Sequence, residues 1–139
     1  MPTPEDTPFA RVGGAEAVRA LAEEFYEEMF RSEPALARLH ECDADGRVTK
    51  TRRDRFALFL VGWLGGPQDY MQQHGHPRLR MRHGTVPINT EMRDAWVRCM
   101  SAAMKTRGLG PEIRAWLEPR FQVVAEFLRN VPDGPAVSP

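Results

Sequence analysis

The chain carries no net charge. Its 19 lysines and arginines balance 19 aspartates and glutamates. That balance argues against a general nucleic-acid binder, because phosphate recognition wants a basic excess. Long hydrophobic runs are also missing. The strongest apolar stretch, ALFLVGWLGG, falls far short of the roughly 20 residues that span a bilayer, so no membrane partner is expected. The first residues, MPTPEDTP, are polar, acidic and proline-rich and carry no secretory signal pattern. Cysteines number two, Cys42 and Cys99, and they form no CxxC pair. They are expected to be free thiols in a cytoplasmic protein. No stretch alternates apolar and polar residues long enough to make a strand, and there is no internal repeat. What remains is a single domain over residues 1–139, with loose, proline-rich ends at about 1–8 and 131–139. A chain of this length buries about two-thirds of its unfolded surface.

Between those ends the helical period dominates, and the fold class is all-α. Val18, Leu21, Ala22, Phe25 and Met29 follow the spacing of one helix face. Gly13-Gly14 gives that helix a tight start, and Pro34 ends it. A short helix over ALARLH and a turn at Asp43–Gly46 follow. Thr49 or Thr51 caps the next helix, whose expected face is Phe56, Phe59, Leu60, Trp63 and Leu64, and Gly65-Gly66-Pro67 stops it. A third long helix starts near Asn89 or Thr90 and carries Met92, Trp96, Cys99, Met100 and Ala103 on one face, with Gly108 as its stop. The last opens at Pro111 with Ile113, Trp116, Leu117, Phe121, Val124 and Leu128 as its apolar positions. Pro119 predicts a kink or a late start within it.

From Gly65 to about Asn89 the pattern weakens, with four glycines, three prolines and three histidines. Long irregular segments in compact domains are usually functional or disordered. Tyr70, Leu79, Met81, Val86 and Ile88 are too apolar for plain disorder. The segment HPRLRMRH, residues 76–83, lies in its middle. His74, His76 and His83 do not match the usual zinc spacings. Arg78, Arg80, Arg82 and Arg93 could touch phosphates, but no nucleic-acid motif frames them. A helical module that uses HPRLRMRH to contact DNA or protein would be colourless. A cofactor accounts for more of the pattern. One histidine before a glycine can hold haem iron, arginines beside it can meet haem carboxylates, and Leu79 and Met81 can cover a flat apolar face. A solvated basic surface remains the plain alternative.

The chain resembles the truncated haemoglobins, and within them the second group. The likeness runs from about Phe9 to Arg129. It is carried by Gly13-Gly14, Phe25-Tyr26, Gly65-Gly66-Pro67, HPRLRMRH and RDAWVRCM, with Trp96 thirteen residues after His83. The resemblance implies a two-over-two helical sandwich around one haem b. Carried over by position, it implies His83 as the proximal iron ligand and Tyr26, beside Phe25, as the distal tyrosine. Trp96 matches the tryptophan of the second group, an N–H donor toward an electronegative ligand. His40 matches a distal position from which an imidazole could hydrogen-bond the ligand or bind the iron as a sixth ligand. Arg52 falls at the gate, where the family often has a small residue, and Phe56 one turn deeper. Arg55, Tyr70 and Arg82, with Arg80 as a further candidate, correspond to positions that touch the haem propionates.

The implied function is reversible binding of oxygen and other diatomic gases, nitric oxide and carbon monoxide among them. Slow release would suit sensing, scavenging or redox chemistry better than bulk oxygen transport. The enzymatic alternative is a nitric oxide dioxygenase or a peroxidase-like activity, and turnover would then need a reductase partner. The chain is expected to be a monomer or a weak homo-oligomer that binds no nucleic acid.

Overall fold

A computed structural model describes residues 7–74 and 88–129, and these hold seven helices and no β-strand. In chain order they are α1 (Pro8–Val12), α2 (Ala15–Ser32), α3 (Pro34–Ala37), α4 (Lys50–Trp63), α5 (Asp69–His74), α6 (Thr90–Thr106) and α7 (Pro111–Leu128). Of the two ends expected to be loose, residues 1–6 and 130–139 lie outside the described residues, while Thr7 caps α1 and Pro8 opens it.

Local chemistry sets the helix boundaries. Gly13 and Gly14 take φ values of +120° and +90°, a turn that side chains disfavour, and α2 starts directly after them. Pro34 forces the break after Ser32. The Thr49 side chain caps α4 and Asn89 caps α6, accepting from the Met92 N–H at 2.9 Å. The far end of α4 closes in the glycine-terminated motif of helix ends. Gly65, at φ +98°, donates to Gly62 O at 3.1 Å, and Gly66 donates to Val61 O at 2.8 Å. The end of α6 repeats this with Gly108 at φ +75° and Leu109 N–H on Met104 O at 3.0 Å.

α2 packs against both α4 and α6, and α6 packs against α7. The core runs through Val18, Leu21, Phe25 and Met29 of α2, Leu60 and Leu64 around the end of α4, Met100 and Met104 of α6, and Leu117 and Phe121 of α7. Each such side chain contributes about 1.5–3 kcal/mol on full burial. The many surface ion pairs, Arg98 with Glu33 at 3.0 Å for instance, are worth ~0–1 kcal/mol each. Apolar burial therefore decides the fold. No described helix is long and apolar enough to cross a membrane.

The structure departs from the sequence expectation in four places. α4 buries Ala57, Leu60, Val61 and Leu64, while Phe56, Phe59 and Trp63 stay half-buried at the edge of the core. α4 is thus apolar on two sides, one against α2 and one beyond it. α5 forms where the sequence carries only a weak helical pattern. α7 runs from Pro111 through Pro119, so of the two outcomes expected there, a kink or a late start, the late start does not occur. Trp116 is not in the core: it is 42% exposed, with the Arg120 guanidinium 3.5 Å over its ring.

Candidate functional site

The residues singled out from the sequence converge where α2, α4 and α6 meet. Phe25 and Tyr26 come from the middle of α2, Phe56 from α4 and Trp96 from α6. The ring centroids of Phe25 lie 5.1 Å from Tyr26, 5.3 Å from Phe56 and 5.2 Å from Trp96. Tyr26 is edge-on to Phe56 at 5.6 Å and to His40 at 5.9 Å. Tyr26 and Trp96 are buried, whereas Phe56 and His40 are half-buried. Spacings of 5–6 Å in edge-on geometry are those aromatic pairs prefer, so the rings hold one another in place.

Burial pushes the Tyr26 phenol well above its ordinary pKa, and the Glu23 carboxylate adds to that, while Arg52 and Arg53 pull the other way. The hydroxyl therefore keeps its proton at any physiological pH and can serve as a donor.

His40 follows α3 by three residues. Its Nδ1 lies 3.0 Å from the Leu36 carbonyl oxygen. A carbonyl only accepts, so Nδ1 carries the proton in the neutral ring and Nε2 carries the lone pair. The segment that bears His40 is tied down on both sides. Arg47 pairs with Glu27 and lies 4.1 Å over the Phe30 ring of α2. Arg53 of α4 donates to Val48 O at 2.6 Å and pairs with Glu23 at 2.9 Å.

Arg52 is exposed on the first turn of α4, with its Nη2 3.6 Å from Glu41 Oε2. Arg55 is half-buried and forms no ion pair or side-chain hydrogen bond with any described residue. Tyr70 is buried on α5, edge-on to Phe59 at 5.8 Å. His83, Leu79, Arg80 and Arg82 lie outside the described residues.

A cavity of about 40 Å³ opens beside this cluster, lined by His40, Trp96, Met92 and Arg93 together with Ile88 and Leu128. It holds roughly one or two waters. The sequence pattern gave no sign of the place Arg93 takes there. Its guanidinium binds Glu126 at 2.6 Å and Asp94 at 3.1 Å, joining α6 to α7. The opposite charges of Arg93 and Glu126 become readable as a pair only once α6 and α7 are known to be neighbours. Among the described residues no cluster of histidine, cysteine or acidic side chains could hold a metal ion by itself. The iron-ligand candidate His83 lies outside the described residues, but described side chains near the cluster have the chemistry a haem neighbour needs. Phe56, Phe59 and Met92 are half-buried apolar side chains packed against the core. Arg55 offers a half-buried guanidinium that meets no protein carboxylate among the described residues, as a propionate partner requires.

Helices packed in this order, with tyrosine, tryptophan and histidine rings gathered in one cluster, match the arrangement of a globin. The chain belongs to the bacterial-like globin family, whose model matches residues 7–136. Within it the chain is a truncated haemoglobin of the second group. It is 40% identical over 117 residues to Group 2 truncated hemoglobin YjbI of Bacillus subtilis (strain 168), covering 84% of each chain. It is similar in structure to the group II 2-on-2 hemoglobin of the plant pathogen Agrobacterium tumefaciens, with a TM-score of 0.83, 31% identity and coverage of 96% of this chain and 100% of that one. The truncated oxygen-avid haemoglobin from Bacillus subtilis superposes with a TM-score of 0.78 at 36% identity, covering 89% of this chain and 99% of that one. The all-α truncated globin fold and a haem- and oxygen-binding function follow from that membership.

Proposed function

We propose that the chain binds oxygen, nitric oxide and carbon monoxide reversibly at a haem b whose iron is held by His83. Haem supplies an iron that takes a diatomic ligand reversibly when ferrous. Everything else is the work of side chains. By the resemblance, Leu79 would cover the haem face, and Arg55, Arg80, Arg82 and Tyr70 would hold its propionates. Tyr26 and Trp96 direct O–H and N–H donors toward the ligand, and Phe25 and Phe56 keep water from competing for them. Arg52 stands at the gate.

The observation that carries this reading is the ring cluster of Tyr26, Phe56, Trp96 and His40, with the Tyr26 hydroxyl held protonated by burial. The His40 tautomer narrows that residue's part. With its proton on Leu36 O, the ring offers a lone pair at Nε2. That supports an acceptor for the Tyr26 hydroxyl or a sixth iron ligand over a donor to the incoming gas.

The unpaired thiols of Cys42 and Cys99 support a cytoplasmic setting, where a monomer or weak homo-oligomer would work. Oxidation of nitric oxide to nitrate at the same site would require electrons from a partner reductase. Nitric oxide consumption with and without a reductant separates turnover from binding alone.

The decisive experiment is an absorption spectrum of the purified protein, ferric and then reduced, with and without carbon monoxide. A Soret band that sharpens and shifts with carbon monoxide is expected. No Soret band, even after hemin is added, would overturn the proposal.

A further inference from the structure

Arg53 stands in the first turn of α4 and reaches two other elements. Its Nη1 donates to Val48 O at 2.6 Å, and its Nε lies 2.9 Å from Glu23 Oε2 of α2. The Nε atom is closed to solvent, and the carboxylate meets it as an ion pair off the N–H direction. The side chain is 24% exposed, against 46% for Arg52 beside it, so water screens its contacts less.

Both partners lie next to the ring cluster. Val48 is buried and closes a small hairpin that starts directly after His40. Thr49 N–H donates to Glu41 O at 3.0 Å, Asp43 N–H donates to Arg47 O at 2.8 Å, and Cys42 pairs with Val48 between them. A hold on Val48 is thus a hold on the residue after His40. On α2, Glu23 precedes Tyr26 by three residues and Phe30 follows it by four, so the three share one side of the helix. Glu23 takes Arg53, and the Phe30 ring takes Arg47 from the hairpin. The hairpin is therefore pinned on both sides of Tyr26. Arg47 joins two elements, the hairpin and α2. Arg53 adds a third, the helix that carries Phe56.

We propose that Arg53 is a positioning residue, whose one guanidinium locks together the three elements that carry Tyr26, Phe56 and His40 and so fixes where the Tyr26 hydroxyl points. The proposal rests on the haem-pocket reading above. Phe56 and His40 are the rings set edge-on to Tyr26, at 5.6 and 5.9 Å, and each comes from a different element held by Arg53. The fork suits the task because two of its nitrogens reach different acceptors at fixed spacing, whereas a lysine has one terminal nitrogen for both. Without the fork the elements can drift apart. A hydrogen bond weakens steeply with angle, so a Tyr26 donor that wanders holds its ligand less well.

The test is a double-mutant cycle on oxygen release, with Arg53→Gln made in the wild-type and Tyr26→Phe backgrounds. In the wild-type background release should be about 3- to 10-fold faster. In Tyr26→Phe the same change should have no effect, because the hydroxyl it positions is gone. The infrared band of bound carbon monoxide should broaden or split in Arg53→Gln, as the donor samples more than one orientation. Arg53→Lys should give the same effects at smaller size, and it carries the comparison if Arg53→Gln does not fold. An equal factor in both backgrounds, or no factor in either, would overturn the role given to Arg53 while leaving the haem pocket standing. If the wild-type chain takes up no haem, the pocket reading fails and this proposal falls with it.

Discussion

Replacing Tyr26 with phenylalanine removes one hydroxyl and leaves the ring contacts with Phe25 and Phe56 in place. A hydrogen bond to a charged or strongly polarised group is worth about 1.5–3 kcal/mol. Oxygen dissociation from Tyr26→Phe should therefore be about 10- to 100-fold faster in stopped-flow mixing, with the fold unchanged by circular dichroism. Trp96→Phe should act in the same direction. A rate within twofold of wild type for both would show that neither donor reaches the ligand. His40→Ala separates the two parts left open to that ring. If His40 ligates the iron, the ferric protein is low-spin and the variant turns high-spin, with faster carbon monoxide association. If His40 only accepts from Tyr26, the ferric spectrum keeps its spin state. Tyr26, Trp96 and His40 were legible in the sequence because they sit at fixed offsets from recognisable motifs. The proton on His40 was not, because it depends on a 3.0 Å contact to a carbonyl of the preceding helix. Nor was the Arg52–Glu41 pair, which joins residues 11 positions apart across a turn.

Helix α4 is held at its C-terminal end by α1. Phe9 N–H donates to Leu64 O at 2.8 Å, and the Phe9 ring lies over Gly66. A Cβ at Gly66 would come within 2.6 Å of that ring, closer than side chains tolerate. Gly66→Ala should force Phe9 aside and cost about 1–3 kcal/mol, read from the urea unfolding midpoint. An unchanged midpoint would mean that α1 does not brace α4. The sequence made α2 and α6 plain because each buries a single stripe, so the 3.6-residue period identifies both the helix and its face. α4 was harder. Ala57 and Val61 face the core while Phe56, Phe59 and Trp63 lie to the side. An apolar pattern on two sides does not say which is which. In α7 the period pointed to Trp116 as core, yet Arg120 covers it at the surface. A tryptophan roofed by a guanidinium looks the same in sequence as one roofed by leucine. The six residues of α5 are too few for any period to register.

For the whole molecule, alkaline pH is the condition its buried groups oppose. The Cys99 thiol is buried, and that burial pushes its pKa up from 9.0 to about 12. In the unfolded chain the thiol ionises near its ordinary value, so the folded state's advantage is whole below pH 9 and is lost as pH rises toward 12. Tyr26 acts in the same sense from about pH 10 upward. The urea midpoint should therefore fall across this window, and Cys99→Ala should flatten the fall even where it lowers stability at neutral pH. An identical slope in the variant would show that the thiol titrates alike in both states. Fold class and family were legible at this scale because the motifs span the chain. The match to residues 7–136 agrees with the expected range from Phe9 to Arg129.

The carbonyl that fixes the His40 proton belongs to α3, a helix of only four residues. A single helical turn has almost no cooperativity of its own and frays sooner than any long helix here. The orientation of His40 is thus tied to the least durable turn beside the pocket. Warming the protein should free the ring well before the globin melts. An Arrhenius plot of ligand release would then bend at moderate temperature, and the bend would disappear in His40→Ala. The pocket would carry a thermal sensitivity set by one turn of backbone rather than by the chemistry of the ligand.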